Sequence, residues 1–228
     1  MTPMMNFNAL IFDVDGTMAE TEELHRRAFN ESFVDFGLDW AWDVALYGRL
    51  LRITGGKERI SHYLSEYRGD RDKLSAAQIA DIHRMKNGRY AGLLADGACQ
   101  LRPGVADTLD AAKRRGLPLA IATTTSRSNV EALLTPVLGK EWSTLFRAIV
   151  AGEDVERKKP APDVYLKALA KLGLPARACL ALEDSRNGLL SARSAGVSVV
   201  IVRSMYFGDD DFEGALEVVD ELTDLRGF

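Results

Sequence analysis

Ala9-Leu10-Ile11-Phe12-Asp13-Val14-Asp15-Gly16-Thr17 is an apolar run that ends in two carboxylates, a glycine and a hydroxyl. Four apolar residues without polar alternation suit a strand buried on both faces, the habit of parallel sheets. Leu119-Ala120-Ile121-Ala122, Ala148-Ile149-Val150, Cys179-Leu180-Ala181-Leu182 and Val197 to Val202 repeat the pattern. Between them lie helical stretches at Val105 to Arg115, Asn129 to Leu138, Pro162 to Leu172 and Arg186 to Ala195. Strand alternating with helix at this spacing predicts an α/β fold with a doubly wound parallel sheet.

One stretch breaks the alternation. From Ala19 to Ala95 only helical periodicity is found: Leu24, Ala28, Phe29, Phe33 and Phe36, then Ile60, Tyr63, Leu64 and Tyr67. Ser75 with Gln78 reads as a capping box opening a helix through Ile79, Ile82, Met85 and Tyr90. So long a helical insertion is too much for a connection. It predicts a separate all-helical domain over 19–96, with the α/β core built from 1–18 and 97–228. Tyr47, Tyr63, Phe33, Trp40 and Trp42 are expected to pack inside the insertion. His62 and His83 are expected at the surface, Cys179 in the core, Cys99 at the hinge, and the tail from Phe207, with Asp209, Asp210, Asp211 and Glu213, in a solvated acidic turn.

Composition bounds the partners. The 228 residues carry 29 Lys+Arg against 33 Asp+Glu, a net charge of −4, which argues against a general nucleic-acid binder. No apolar run approaches the ~18–20 residues of a membrane span. Met1 to Asn8 lacks the order of a signal or transit peptide. Two cysteines eighty residues apart make neither a disulfide framework nor a metal knuckle. A cytoplasmic monomer acting on a small molecule is expected, with neither nucleic acid nor membrane as partner.

Ligands of open α/β sheets bind outside the carboxyl ends of the strands. Asp13 and Asp15, two apart on an extended segment, fall on one side, where they repel unless a cation lies between them or one holds a proton. Mg²⁺, which takes oxygen ligands, resolves the conflict. A calcium loop does not, because Leu24 stands at the twelfth position, where that loop needs Glu. The other strand ends supply Thr123-Thr124-Thr125-Ser126, Lys158-Lys159-Pro160 and Glu183-Asp184-Ser185. Each alone also reads as a cap, a solvated loop or a plain helix start. Together, in this order, they point to a phosphate and metal site.

That order, Asp13-x-Asp15-Gly16-Thr17, Thr123, Lys159-Pro160, Glu183-Asp184, resembles the haloacid dehalogenase superfamily over the whole chain. The insertion looks like that superfamily's cap of the first type. Thr21 to Glu31, Thr54 to Ile60 and Ala122 to Ser126 resemble its CbbY group, the xylulose-1,5-bisphosphate phosphatases associated with Rubisco. The resemblance implies Asp13 as nucleophile and Asp15 as acid and base. It implies Mg²⁺ held by Asp13, the Asp15 carbonyl and Asp184, with Glu183 a direct or water-mediated partner. Lys159, Thr123 and the Thr124 N–H would neutralise the phosphoryl oxygens.

In the insertion, Gly55-Gly56 ahead of Lys57-Glu58-Arg59 offers backbone N–H groups and two cations, a seat for a second phosphate or equally a plain turn. The stretch is not a nucleotide-binding P-loop, because no glycine precedes Gly56 by five and Glu58 follows Lys57. Glu22 and His25 lie where they could meet sugar hydroxyls, although a lone histidine is more often packed or solvated. Thr125, Ser126, Arg127 and Asn129 could reach substrate from the core. The expected activity is Mg²⁺-dependent hydrolysis of a sugar bisphosphate, most simply xylulose 1,5-bisphosphate to xylulose 5-phosphate, which removes a Rubisco inhibitor. The rivals are a β-phosphoglucomutase-like phosphotransferase and a non-catalytic sugar-phosphate-binding module.

Overall fold

The computed structural model of the chain describes residues 7–69 and 73–224. Six parallel strands form one sheet in the order β3-β2-β1-β4-β5-β6: β1 (Ala9–Phe12), β2 (Leu119–Ala122), β3 (Phe146–Val150), β4 (Cys179–Glu183), β5 (Ser198–Val202) and β6 (Glu217–Val219). β1 lies centrally, which is why its residues are all apolar. Leu10 and Phe12 face one buried cluster, and Ala9 and Ile11 the other. Helices cover both faces: α5 (Val105–Arg114), α6 (Arg127–Leu138), α7 (Asp163–Leu172) and α8 (Arg186–Ser194). Phe12 pairs with Ile121 on one side and Leu182 on the other. The carboxyl ends of β1, β2 and β4 are therefore level, and whatever follows them converges.

Among the described residues four α-helices intervene between β1 and α5: α1 (Glu22–Asp35), α2 (Val44–Leu50), α3 (Gly56–Tyr63), which runs on into a π-helical turn (Leu64–Arg68), and α4 (Ala76–Ala95). Ser75 and Gln78 close the expected capping box at the start of α4. Phe29, Phe33, Trp40, Trp42, Tyr47 and Tyr63 form the aromatic centre of this layer, with Trp42 4.8 Å from both the Phe29 and the Phe33 ring. The ends of α1 and α4 nearest the sheet join its own cluster through Leu24, Ala28, Tyr90 and Leu94. Among the described residues no helix is long and apolar enough to cross a membrane.

The expectation of a merely solvated acidic tail is corrected. Glu217–Val219 completes the sheet as edge strand β6, Asp210 accepts from Arg52 and from the Arg186 N–H, and Asp211 pairs with Arg186 at 2.9 Å. Arg102, where the chain returns from the helices, is 6% exposed. It donates to the main-chain oxygens of Gly16, Arg203 and Asp220 at 2.5–2.8 Å.

Candidate active site

Lys159 Nζ lies 2.6 Å from Asp13 Oδ1 and 2.6 Å from Glu183 Oε1. The Tyr165 hydroxyl donates to the same Glu183 oxygen. Ser204 Oγ donates to Asp184 Oδ2 at 2.7 Å. One oxygen each from Asp13, Glu183 and Asp184 falls within 4.8 Å of the others, and all three residues are buried. Gly16 makes the approach feasible. Its φ is +78°, and a Cβ there would sit 1.9 Å from Asp184 Oδ2.

A single ammonium faces three buried carboxylates, and the proton affinities show the imbalance. Burial raises the Asp13 carboxyl to about 7 against the pull of Lys159, with Glu183 and Asp15 adding to the rise. Burial, then Asp13 and Glu183, pushes Asp184 well above the usual carboxylate range. Burial alone would lower Lys159, but Asp13 and Glu183 outweigh it and hold the ammonium charged. Glu183 Oε2 has no hydrogen-bond partner among the described residues. Surplus negative charge, an orphaned carboxylate oxygen and all-oxygen donors fit a hard divalent cation.

Asp15 is served differently. Thr21 Oγ1 donates to its Oδ1 at 2.6 Å, and His25 Nε2 lies 3.0 Å from the same atom. Burial opposes ionisation, but His25 and Thr21 overcome it and hold the carboxyl well below its ordinary value. Lys86 Nζ sits 2.7 Å from His25 Nδ1, and the ring stacks 3.9 Å from Tyr90. These partners fit Nε2 donating to Asp15 and Nδ1 accepting from Lys86. Burial lowers Lys86 itself to about 7, with Asp15 and Glu22 partly offsetting it.

A small cavity of about 70 Å³ over Asp13 is lined by Asp15, Thr123, Lys159 and Asp184. Next to it lies a cleft of about 300 Å³ between sheet and helices. Asp15, Glu22, Gly55, Arg59 and Thr124 line both. Residues 7–196 match the family model described as haloacid dehalogenase-like hydrolase. The chain belongs to the haloacid dehalogenase-like hydrolase family.

Within that family it falls in a CbbY-like group. It is 55% identical over 215 residues to protein CbbY of Rhodobacter capsulatus, covering 92% of each chain. It superposes on the crystal structure of a variant of CbbY from Rhodobacter sphaeroides in complex with xylulose 1,5-bisphosphate. The TM-score is 0.93 at 48% identity, over 97% of each chain. β-Phosphoglucomutase from Clostridium difficile shares the fold, with a TM-score of 0.81 at 21% identity over 96% of this chain and 93% of that one. This haloacid dehalogenase-like hydrolase is an enzyme, of the phosphatase kind.

The structure brings most of the expected residues of this hydrolase together. Thr124, Thr125, Ser126, Asn129, Gly55, Gly56, Lys57, Glu22 and His25 all line the larger cleft. Gly55 opens α3 at φ +100°. Asn129 bonds Thr125 Oγ1 and, across the gap to α4, Asn87 Oδ1. Phe207 sits in the expected turn but is half-buried there and lines the smaller cavity.

Three expectations are corrected. Asp13 and Asp15 do not share a cation by their side chains, because each has its own partners and the Asp15 carboxylate lies outside the acidic cluster. Arg127 points away from the cleft and pairs with Asp154 at 2.9 Å. Arg59, 8% exposed, lines both cavities while donating to Leu50 O, Ile53 O and Tyr47 Oη, which braces the α2–α3 loop. Glu58 lines neither cavity and instead pairs with Lys158 of the core at 2.7 Å.

Sequence reasoning missed His83, Lys86 and Asn87, which line the cleft from α4. His83 in particular is not a surface residue. Spacings of three and four put the three on one helix face, a signal available in the sequence. Tyr165 and Ser204, which orient Glu183 and Asp184, leave no such trace.

Proposed function

We propose that this chain is a Mg²⁺-dependent sugar-bisphosphate phosphatase that works through an aspartyl-phosphate on Asp13. Its preferred substrate is xylulose 1,5-bisphosphate and its product xylulose 5-phosphate, so that it disposes of a Rubisco inhibitor. The observation that carries the reading is the pairing of a tight cavity over Asp13 with an adjoining wider cleft lined by Lys57, Lys86 and Lys158. One phosphoryl group fits the first and leaves a second to be met in the other. The complex of the similar CbbY with xylulose 1,5-bisphosphate supports the choice of sugar.

In the first half-reaction an Asp13 oxygen attacks phosphorus, the ester P–O bond breaks, and the leaving alkoxide takes a proton from Asp15. In the second, water attacks the phosphoryl group, Asp15 takes the proton, and the Asp13 carboxylate leaves with inorganic phosphate freed. Thr21 and His25 keep Asp15 ionised at rest, which suits the second half. A dianionic phosphoryl group beside Asp15 raises its proton affinity for the first. Lys159, Thr123 and the Thr124 N–H neutralise the phosphoryl oxygens. Mg²⁺ held by Asp13, the Asp15 carbonyl and Asp184, with Glu183 beside them, would supply further charge neutralisation. Residues 19–96 act as the cap that closes over the sugar and sets specificity.

The test is a phosphate-release screen over pentulose and hexose mono- and bisphosphates with Mg²⁺. One inorganic phosphate per xylulose 1,5-bisphosphate, at the highest kcat/KM of the panel, is expected. A bisphosphate returned mostly as isomerised monophosphate would make the chain a mutase. Inertness on every ester would leave only a binding module.

A further inference from the structure

His83 takes no part in the arrangement around Asp13 and Asp15. It lies on α4, and its ring edge rests against the Cα of Gly56: a Cβ there would come within 2.5 Å of both Cδ2 and Nε2. The ring lines the wider part of the cleft, and among the described residues neither nitrogen has a hydrogen-bond partner. Lys57 faces it from α3, Lys158 from the loop after β3, His25 from α1 and Lys86 from its own helix. Glu58 is engaged with Lys158. The carboxylates bordering the same cleft are Asp15, Glu22 and Glu153. Burial, followed by the three lysines, takes the imidazole down to about 3.

A basic ring with open nitrogens, turned into a cleft ringed by lysines, gains nothing from those neighbours while the cleft holds no anion. A dianion changes the balance, because it offsets the lysines and offers acceptor oxygens to the ring. We propose that His83 is a specificity-determining residue that recognises a second anionic group of the substrate, taking one proton from solvent to meet it as imidazolium. Binding and proton uptake are then one event. The ring is neutral without the anion and its proton affinity rises with it. Anion affinity is therefore flat above the bound-state value and climbs as pH falls below it. The inference rests on the proposed function only where it names that anion as the second phosphate of a sugar bisphosphate.

With three histidines in the chain, the His83 ring signal can be assigned by NMR through its loss in His83→Gln. Without added anion the Mg²⁺-loaded protein should keep that ring neutral from about pH 5 to about pH 8. With saturating sulfate, a dianion that does not itself titrate there, the ring should titrate inside that window. A ring that stays neutral with sulfate, or one that already titrates without it, overturns the proposal. A second readout is kinetic. His83→Gln should raise KM for xylulose 1,5-bisphosphate roughly three- to tenfold, and several times more than it raises KM for p-nitrophenyl phosphate. Equal losses on the two esters would also overturn it. Wild-type protein that hydrolyses neither ester would instead defeat the phosphatase reading and leave the NMR result to decide the role of His83.

Discussion

The two walls of the cleft are built on opposite plans. On the sheet side the charged groups are interlocked: Lys159 bridges Asp13 and Glu183, Tyr165 steadies Glu183, and Ser204 steadies Asp184. Four strand ends contribute, so the positions are set by a rigid ladder. On the helical side Lys57 is exposed and His83 has open ring nitrogens. Lys86 is tied, through His25, to the chemistry below. On the proposed function the contrast amounts to a division of labour: the sheet would fix what reaction can occur, and the helical layer what is presented to it.

The strongest way to break that division is at the sheet. Asp13→Asn should lower kcat by at least about a thousandfold on every phosphate ester, bisphosphate or not. Turnover at the wild-type rate in purified variant would remove Asp13 from the chemistry altogether. Less drastic is Arg59→Ala. It removes the donor from three acceptors on the helical side and should cost about 2–4 kcal/mol of stability by urea unfolding. A variant as stable as wild type but with a raised KM for bisphosphate alone would make substrate contact, and not bracing, the role of Arg59.

The smallest effect sharpens the comparison from the helical side. Lys86 is held at about 7, below its ordinary 10.5, chiefly by burial. Between those values the unfolded chain keeps a proton that the folded chain has lost, so this lysine makes stability rise with pH by at most ~1.4 kcal/mol per pH unit. Lys86→Met should lack that part of the rise when unfolding is followed from neutral to mildly alkaline pH. Parallel slopes for the two proteins would show that burial does not strain this cation.

Much of the sheet was legible because buried parallel strands announce themselves as unbroken apolar runs. β1 to β5 fall at or within a residue or two of the runs that predict them. β6 escaped because three residues, one of them Glu217, carry too little pattern among acidic neighbours. The strand-end carboxylates and Lys159 were readable since strand ends are fixed by strand positions. Arg127 and His83 were misread for one common reason. A long or ambivalent side chain on a helix can turn to either of two neighbours, and only tertiary packing decides which. For Arg127 the carboxylate of Asp154 won over the cleft.

Arg102 gives the hinge a mechanical character. Its guanidinium is spent on carbonyls from three separate loops, one of them the peptide following Asp15, and its own N–H meets Met18 O where the chain departs for the helices. The joint is a riveted axle and not a slack tether. On the proposed function, any swing of the upper layer would turn about an axis fastened to the segment that aims Asp15, so opening the lid and re-aiming the proton carrier would be one motion.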